Sequence, residues 1–114
     1  MKEQLQDHWL QLMVALMGAY IFKHPGHFPV LYPIFARLEG DRPREGKPVN
    51  LYGVAEVALA TAKRLEDRTL SDIIEEMVRF HHKYIDSSVR ITQEELDRVT
   101  HNIETRTATL VRHA

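Results

Sequence analysis

Along most of this chain nonpolar residues recur every three or four positions, and no stretch alternates cleanly enough to predict a strand. The first periodic segment runs from about Lys2 to Phe22. Leu5, Trp9, Leu12, Met13, Leu16, Ala19 and Tyr20 share one side of a 3.6-residue helix. Lys23-His24-Pro25-Gly26 ends it, because proline cannot continue the hydrogen-bond ladder and glycine accepts a left-handed cap. The apolar stretch from Phe28 to Glu39 contains Pro29 and Pro33. Pro33 would forfeit a hydrogen bond inside a helix, so it is expected as the first residue of a short helix ending at Gly40. Asp41 to Val49, with Pro43, Gly46 and Pro48 among charges, is expected to be a loop.

Three more segments follow. Asn50 is placed to cap a helix whose stripe is Leu51, Val54, Ala55, Ala58, Leu59, Ala62 and Leu65, with alanines that permit close approach by a neighbour. After Glu66-Asp67-Arg68, the run Thr69-Leu70-Ser71-Asp72 resembles a capping box, followed by Leu70, Ile73, Ile74, Met77, Tyr84 and Ile85 as a buried face and ended by Ser87-Ser88. Thr92-Gln93-Glu94-Glu95 is a Thr-x-x-Glu box opening a last helix with Leu96, Val99, Ile103, Leu110 and Val111 inward and Thr100 and Thr107 within the stripe. The expected fold is all-α, a small bundle of four main helices plus a short Pro-initiated helix, in a single domain over 1–114. Short turns between the last three helices favour antiparallel neighbours.

Composition narrows the picture little. With 44% hydrophobic and 27% charged residues in 114, the chain can build one core without covalent staples. The absence of cysteine excludes disulfides, thiolate metal sites and cysteine nucleophiles. A net charge of −1 gives no bulk attraction to nucleic acid or anionic membranes. The apolar run Trp9–Phe22 is too short to span a bilayer, which takes about 20 apolar residues. It also lacks the charge pattern and cleavage site of a signal peptide. A cytoplasmic protein with no membrane partner is therefore expected.

The first helix is apolar on two sides. Behind its main stripe lie Leu10, Val14, Met17 and Ile21, a second face that either packs inside the monomer, under the Phe28–Phe35 segment, or pairs with a second copy. Burial of such side chains stabilises contact by roughly 1.5–3 kcal/mol each before ordering costs. A homodimer through this face is the expectation, and a charge at Met17 should then release monomers.

Seven histidines raise the question of metal or ligand chemistry. His82 and Asp86, four apart, share a helical flank with Glu75 and could offer nitrogen and oxygen to a divalent cation, although such pairs are common on solvated helices. His81 falls on the apolar face instead, as a core residue or a pocket-lining ligand. His24 and His27 bracket Pro25-Gly26 in a loop suited to ligand contact. His8, His101 and His113 look peripheral. No HExxH, phosphate-binding loop, dinucleotide fingerprint or di-iron series is present, and Ser71, Ser87 and Ser88 are accounted for by caps and turns. No cofactor and no catalytic residue is expected.

Around the long loop Arg37, Arg42, Arg44 and Lys47 are interleaved with Glu39, Asp41 and Glu45, four positive charges against three negative. In the last helix Arg98, Arg106 and Arg112 share space with Glu94, Glu95, Asp97 and Glu104. Neither makes a phosphate-tracking surface, so nucleic acid is not an expected partner. The leading expectation is a small protein-interaction or regulatory module. The alternatives are a ligand- or metal-binding bundle, conceivably an enzyme, using the histidines, and a DNA-binding regulator.

Overall fold

The computed structural model describes residues 2–40, 51–87 and 89–112. The loop expected over Asp41 to Val49, with Arg42, Arg44 and Lys47, the cap expected at Asn50, and Ser88 and His113 lie outside the described residues. Within them the chain forms five α-helices and no strand: α1 (Lys2–Lys23), α2 (Phe28–Gly40), α3 (Leu51–Arg64), α4 (Arg68–Phe80) and α5 (Gln93–Arg112). A 3₁₀ turn, Pro25–His27, joins α1 to α2, and a π-helical turn, His81–Ile85, prolongs α4. The all-α class read from the periodicity is what the chain adopts. No helix of the described residues is long and apolar enough to cross a membrane.

Two sequence expectations need correction at helix starts. α2 begins at Phe28, five residues earlier than expected, and holds Pro33 inside it. Pro33 and Pro29 both lie on the exposed side of α2, where the carbonyl that loses its partner can be hydrated. Leu31, Ile34 and Leu38 on the opposite side enter the core, and their burial favours the continuous helix. α4 is capped by Asp67 rather than Thr69: the Asp67 carboxylate accepts the Leu70 N–H at 2.9 Å. The Thr92 box stands as read, with Glu95 N–H donating to Thr92 Oγ1 and the Thr92 hydroxyl to Glu95 Oε1, each at 3.1 Å.

Side-chain bonds fix how the helices run. Trp9 reaches Met77, and Tyr20 feels the charge of Asp67, so α1 and α4 are antiparallel. His8 bonds Thr100 at 2.7 Å and the Lys23 ammonium donates to the Leu110 carbonyl at 2.8 Å, so α1 and α5 run parallel. α2 packs on α1 and α3, and α3 on α4, with Ala55, Ala58 and Ala62 buried along its stripe. The buried side chains form one cluster with Trp9, Met13, Leu16, Met17 and Tyr20 of α1 at its centre. Overall extents are 38 × 30 × 19 Å. With helices roughly 10 Å across, the molecule is two helices thick.

Glu66, between α3 and α4, is the one described non-glycine residue with positive φ, at 56°. A left-handed L-residue costs about 1 kcal/mol at such a cap. Glu66→Gly should therefore stabilise the protein by up to about 1 kcal/mol, and Thr92→Ala should cost about 1 kcal/mol through the lost cap. Urea unfolding of both variants checks the pair, which must move in opposite directions.

Candidate functional site

The histidines expected on separate faces of the fourth helix meet, and the backbone explains why. In a regular α-helix His81 and Asp86 would point roughly 140° apart, at about 100° per residue. Here the Asp86 N–H bonds the His81 carbonyl at 2.9 Å, closing an i to i+5 turn. This wider turn swings Asp86 beneath both histidines. Its Oδ2 lies 3.2 Å from His81 Nδ1 and 3.4 Å from His82 Nδ1. Among the described residues His81, His82 and Asp86 are the group whose nitrogen and oxygen atoms all fall within 4.8 Å of one another. Glu75, on the same flank by sequence, is not part of it. π-turns are rare and concentrate at functional positions.

The group straddles the protein surface. His81 is 4% exposed, whereas His82 is 57% and Asp86 45% exposed. Burial pushes the His81 pKa down, partly offset by the Asp86 carboxylate, so the neutral ring is favoured. The Trp9 ring meets the His81 ring edge-on at 5.5 Å. The Trp9 indole N–H donates at 2.8 Å to the Met77 carbonyl, which also accepts the His81 N–H. Trp9 thus pins both the His81 ring and the backbone just ahead of the π-turn. From the same turn, the Tyr84 hydroxyl donates to Glu95 Oε2 at 2.5 Å and holds the π-turn to the start of α5. A groove of about 520 Å³ opens beside it, between Gln4, Leu5 and His8 of α1 and Val89 to Gln93.

His24 and His27 also come together. Their rings stack at 5.2 Å, and His27 Nδ1 shares a 3.0 Å hydrogen bond with the Tyr20 hydroxyl. Burial, then the charge of Asp67, raises the Tyr20 pKa, so this phenol stays protonated at neutral pH. The pair braces the 3₁₀ turn between α1 and α2. His8 is not peripheral: it bridges α1 to α5 through Thr100.

The second apolar face of α1 is mostly internal. Leu10 and Met17 are buried, Ile21 packs against the core, and of the four residues only Val14 is exposed. Leu10 and Val14 line a groove with Phe35 and Leu38 of α2, and the burial of Leu10 and Met17 places both inside the monomer. A charge at Met17 would test folding rather than association. The α5 stripe is likewise internal at Ile103 and Leu110. What remains outside was not singled out by the sequence: Phe22 is 80% and Tyr32 59% exposed, with Phe28 about half exposed. The Phe28 ring contacts both Tyr32 and Phe35. Phe35 and Leu38 form one wall of a shallow groove whose other wall is Leu10, Val14 and Ala15 of α1.

No protein-family model, curated protein or solved structure matches the chain.

Two outcomes are expected. Trp9→Phe removes the indole donor and leaves space beside His81, costing about 2 kcal/mol or more in urea unfolding. Hydrogen bonds from Tyr84 and Thr92 hold the Glu95 carboxyl below its ordinary pKa. A carboxyl with a depressed folded pKa adds stability above its unfolded pKa, and that contribution fades as pH falls through the folded value. Between pH 7 and pH 3, roughly spanning the carboxylate range, wild type should lose more stability than Glu95→Gln. Parallel pH profiles for the two proteins would exclude this role.

Proposed function

We propose that the protein is a small helical interaction module that associates with a second copy of itself through the outer face of the α1–α2 hairpin. One observation carries the reading: of the five large hydrophobic side chains exposed among the described residues, four lie on this hairpin, namely Val14, Phe22, Phe28 and Tyr32. Aromatic residues dominate the cores of protein interfaces, and scattered single hydrophobics would carry no such weight. Phe28, Tyr32 and Phe35 make ring contacts, and the Phe35–Val14 groove continues the same surface onto α1. Asp7 and Gln11, hydrogen-bonded at 2.7 Å, supply a polar border at one end of the groove.

A face present on both copies can pair about a two-fold axis, the commonest arrangement of soluble oligomers. The expected interface is centred on Tyr32 and Phe28, with Val14 entering the opposing groove. Of the residues expected from sequence to make the contact, the exposed Val14 and the half-buried Ile21 remain available to it. A metal-binding reading is favoured by a separate observation, the His81–His82–Asp86 group.

Sedimentation and light scattering should give a dimer mass for wild type. Tyr32→Glu and Phe28→Ser should shift that mass to monomer while the monomer stays folded, at a cost of about 1 kcal/mol for Phe28→Ser through its lost ring contacts and less for the more exposed Tyr32→Glu. A wild type that remains monomeric at its highest soluble concentration, or a dimer indifferent to both substitutions, rules the proposal out.

A further inference from the structure

We propose that the π-turn of the fourth helix is a divalent transition-metal site, with His81 Nδ1, His82 Nδ1 and an Asp86 carboxylate oxygen as its three protein ligands. The proposal stands independently of self-association through the α1–α2 face.

The first argument is distance. Zinc binds histidine nitrogen and carboxylate oxygen at about 2.0–2.2 Å, so neighbouring ligand atoms of a tetrahedral ion sit roughly 3.3 Å apart. The two nitrogen-to-oxygen separations here are 3.2 and 3.4 Å. All three donor atoms lie within 4.8 Å of one another, so an ion would close the group by rotation of the exposed His82 and Asp86 side chains.

The second argument is donor chemistry. Two imidazoles and one carboxylate suit zinc, copper, nickel or cobalt and disfavour magnesium and calcium, which take sets of oxygen ligands. Three protein ligands leave a coordination position for water or a small substrate, the arrangement of reactive rather than purely structural zinc sites.

The third argument is preorganisation. His81 is buried and its ring is held by the edge of Trp9, while the i to i+5 bond sets Asp86 beneath it. A pair of surface side chains would have to be ordered by the ion itself. Here one ligand is already fixed inside the fold, and the exposed His82 and Asp86 give the ion a path from solvent. The turn uses an uncommon backbone geometry, and the consequence visible on its surface is that these three groups converge.

Trp9 is the sole tryptophan of the chain and lies against His81, which gives the site an intrinsic reporter. Tag-free wild-type protein, stripped with a chelator, is titrated with Co²⁺ and Cu²⁺ while Trp9 emission and the Co²⁺ ligand-field spectrum are followed, and Zn²⁺ is then added as competitor. Saturable binding of one ion per chain is expected, with quenching of Trp9 and displacement of Co²⁺ by Zn²⁺. Asp86→Asn and His82→Ala change exposed side chains and should fold normally, as circular dichroism would verify. Each should weaken binding by about 100-fold or more, since even the loss of a group behind the ligands typically costs 10–100-fold. His24→Ala, at the other histidine pair, should leave binding unchanged. Absence of a saturable one-to-one phase overturns the proposal. So does binding that survives His82→Ala and Asp86→Asn, or binding that His24→Ala abolishes.

Discussion

Burying an indole obliges the fold to find a partner for one N–H, and much of this structure is arranged around how Trp9 meets that demand. A buried donor left unsatisfied would cost about 1–3 kcal/mol, a sizeable part of the net stability of a small domain. The Met77 carbonyl supplies the bond. In doing so it sets the register of α1 against α4, places the Trp9 ring edge against His81, and anchors the backbone where the helix passes from α to π geometry. Towards α5 the same helix is tied separately, by His8 to Thr100 and, at its C-terminal end, by Lys23 to Leu110.

The π-turn turns a helical sequence into a three-dimensional group. With ordinary α geometry His81 would serve the core and His82 with Asp86 would face water, two unrelated features. One shifted hydrogen bond, Asp86 N–H to His81 carbonyl, merges them. Tyr84 leaves the same turn towards Glu95, so the start of α5 is held against the candidate site. Core packing, backbone geometry and surface chemistry therefore meet within six residues.

The thinness of the molecule has its own consequence. A body two helices thick cannot enclose every face of every helix, and α2, unusually rich in aromatic residues and proline, is left with one side outward. Pro29 and Pro33 belong on that side because a hydrated carbonyl tolerates the missing bond. Phe28 and Tyr32 have no such reason to face water, and a second apolar surface would remove them from it. Their exposure is the opposite of what the α1 stripe led one to expect. The helix with surplus apolar surface used it within the monomer, and the shorter segment packed against it kept the exposed aromatics.

Fold class and most of the core were determined by the sequence alone. Three-to-four-residue periodicity, the proline–glycine stop after Lys23 and the Thr92 box act through local backbone hydrogen bonding and one-sided burial, which neighbouring residues settle among themselves. Local rules failed where a distant partner outweighed them. α2 runs through Pro33 because Leu31, Ile34 and Leu38 gain more from burial than the chain loses in one hydrated carbonyl. The Asp67 cap of α4 is a different case, one local cap chosen over another two residues on. Leu10 and Met17 could not be told from a dimer seam, since periodicity shows that a face is apolar and not what covers it. The convergence of His81, His82 and Asp86 was equally hidden, because i to i+5 bonding is settled by tertiary packing and leaves no repeat in the order of residues.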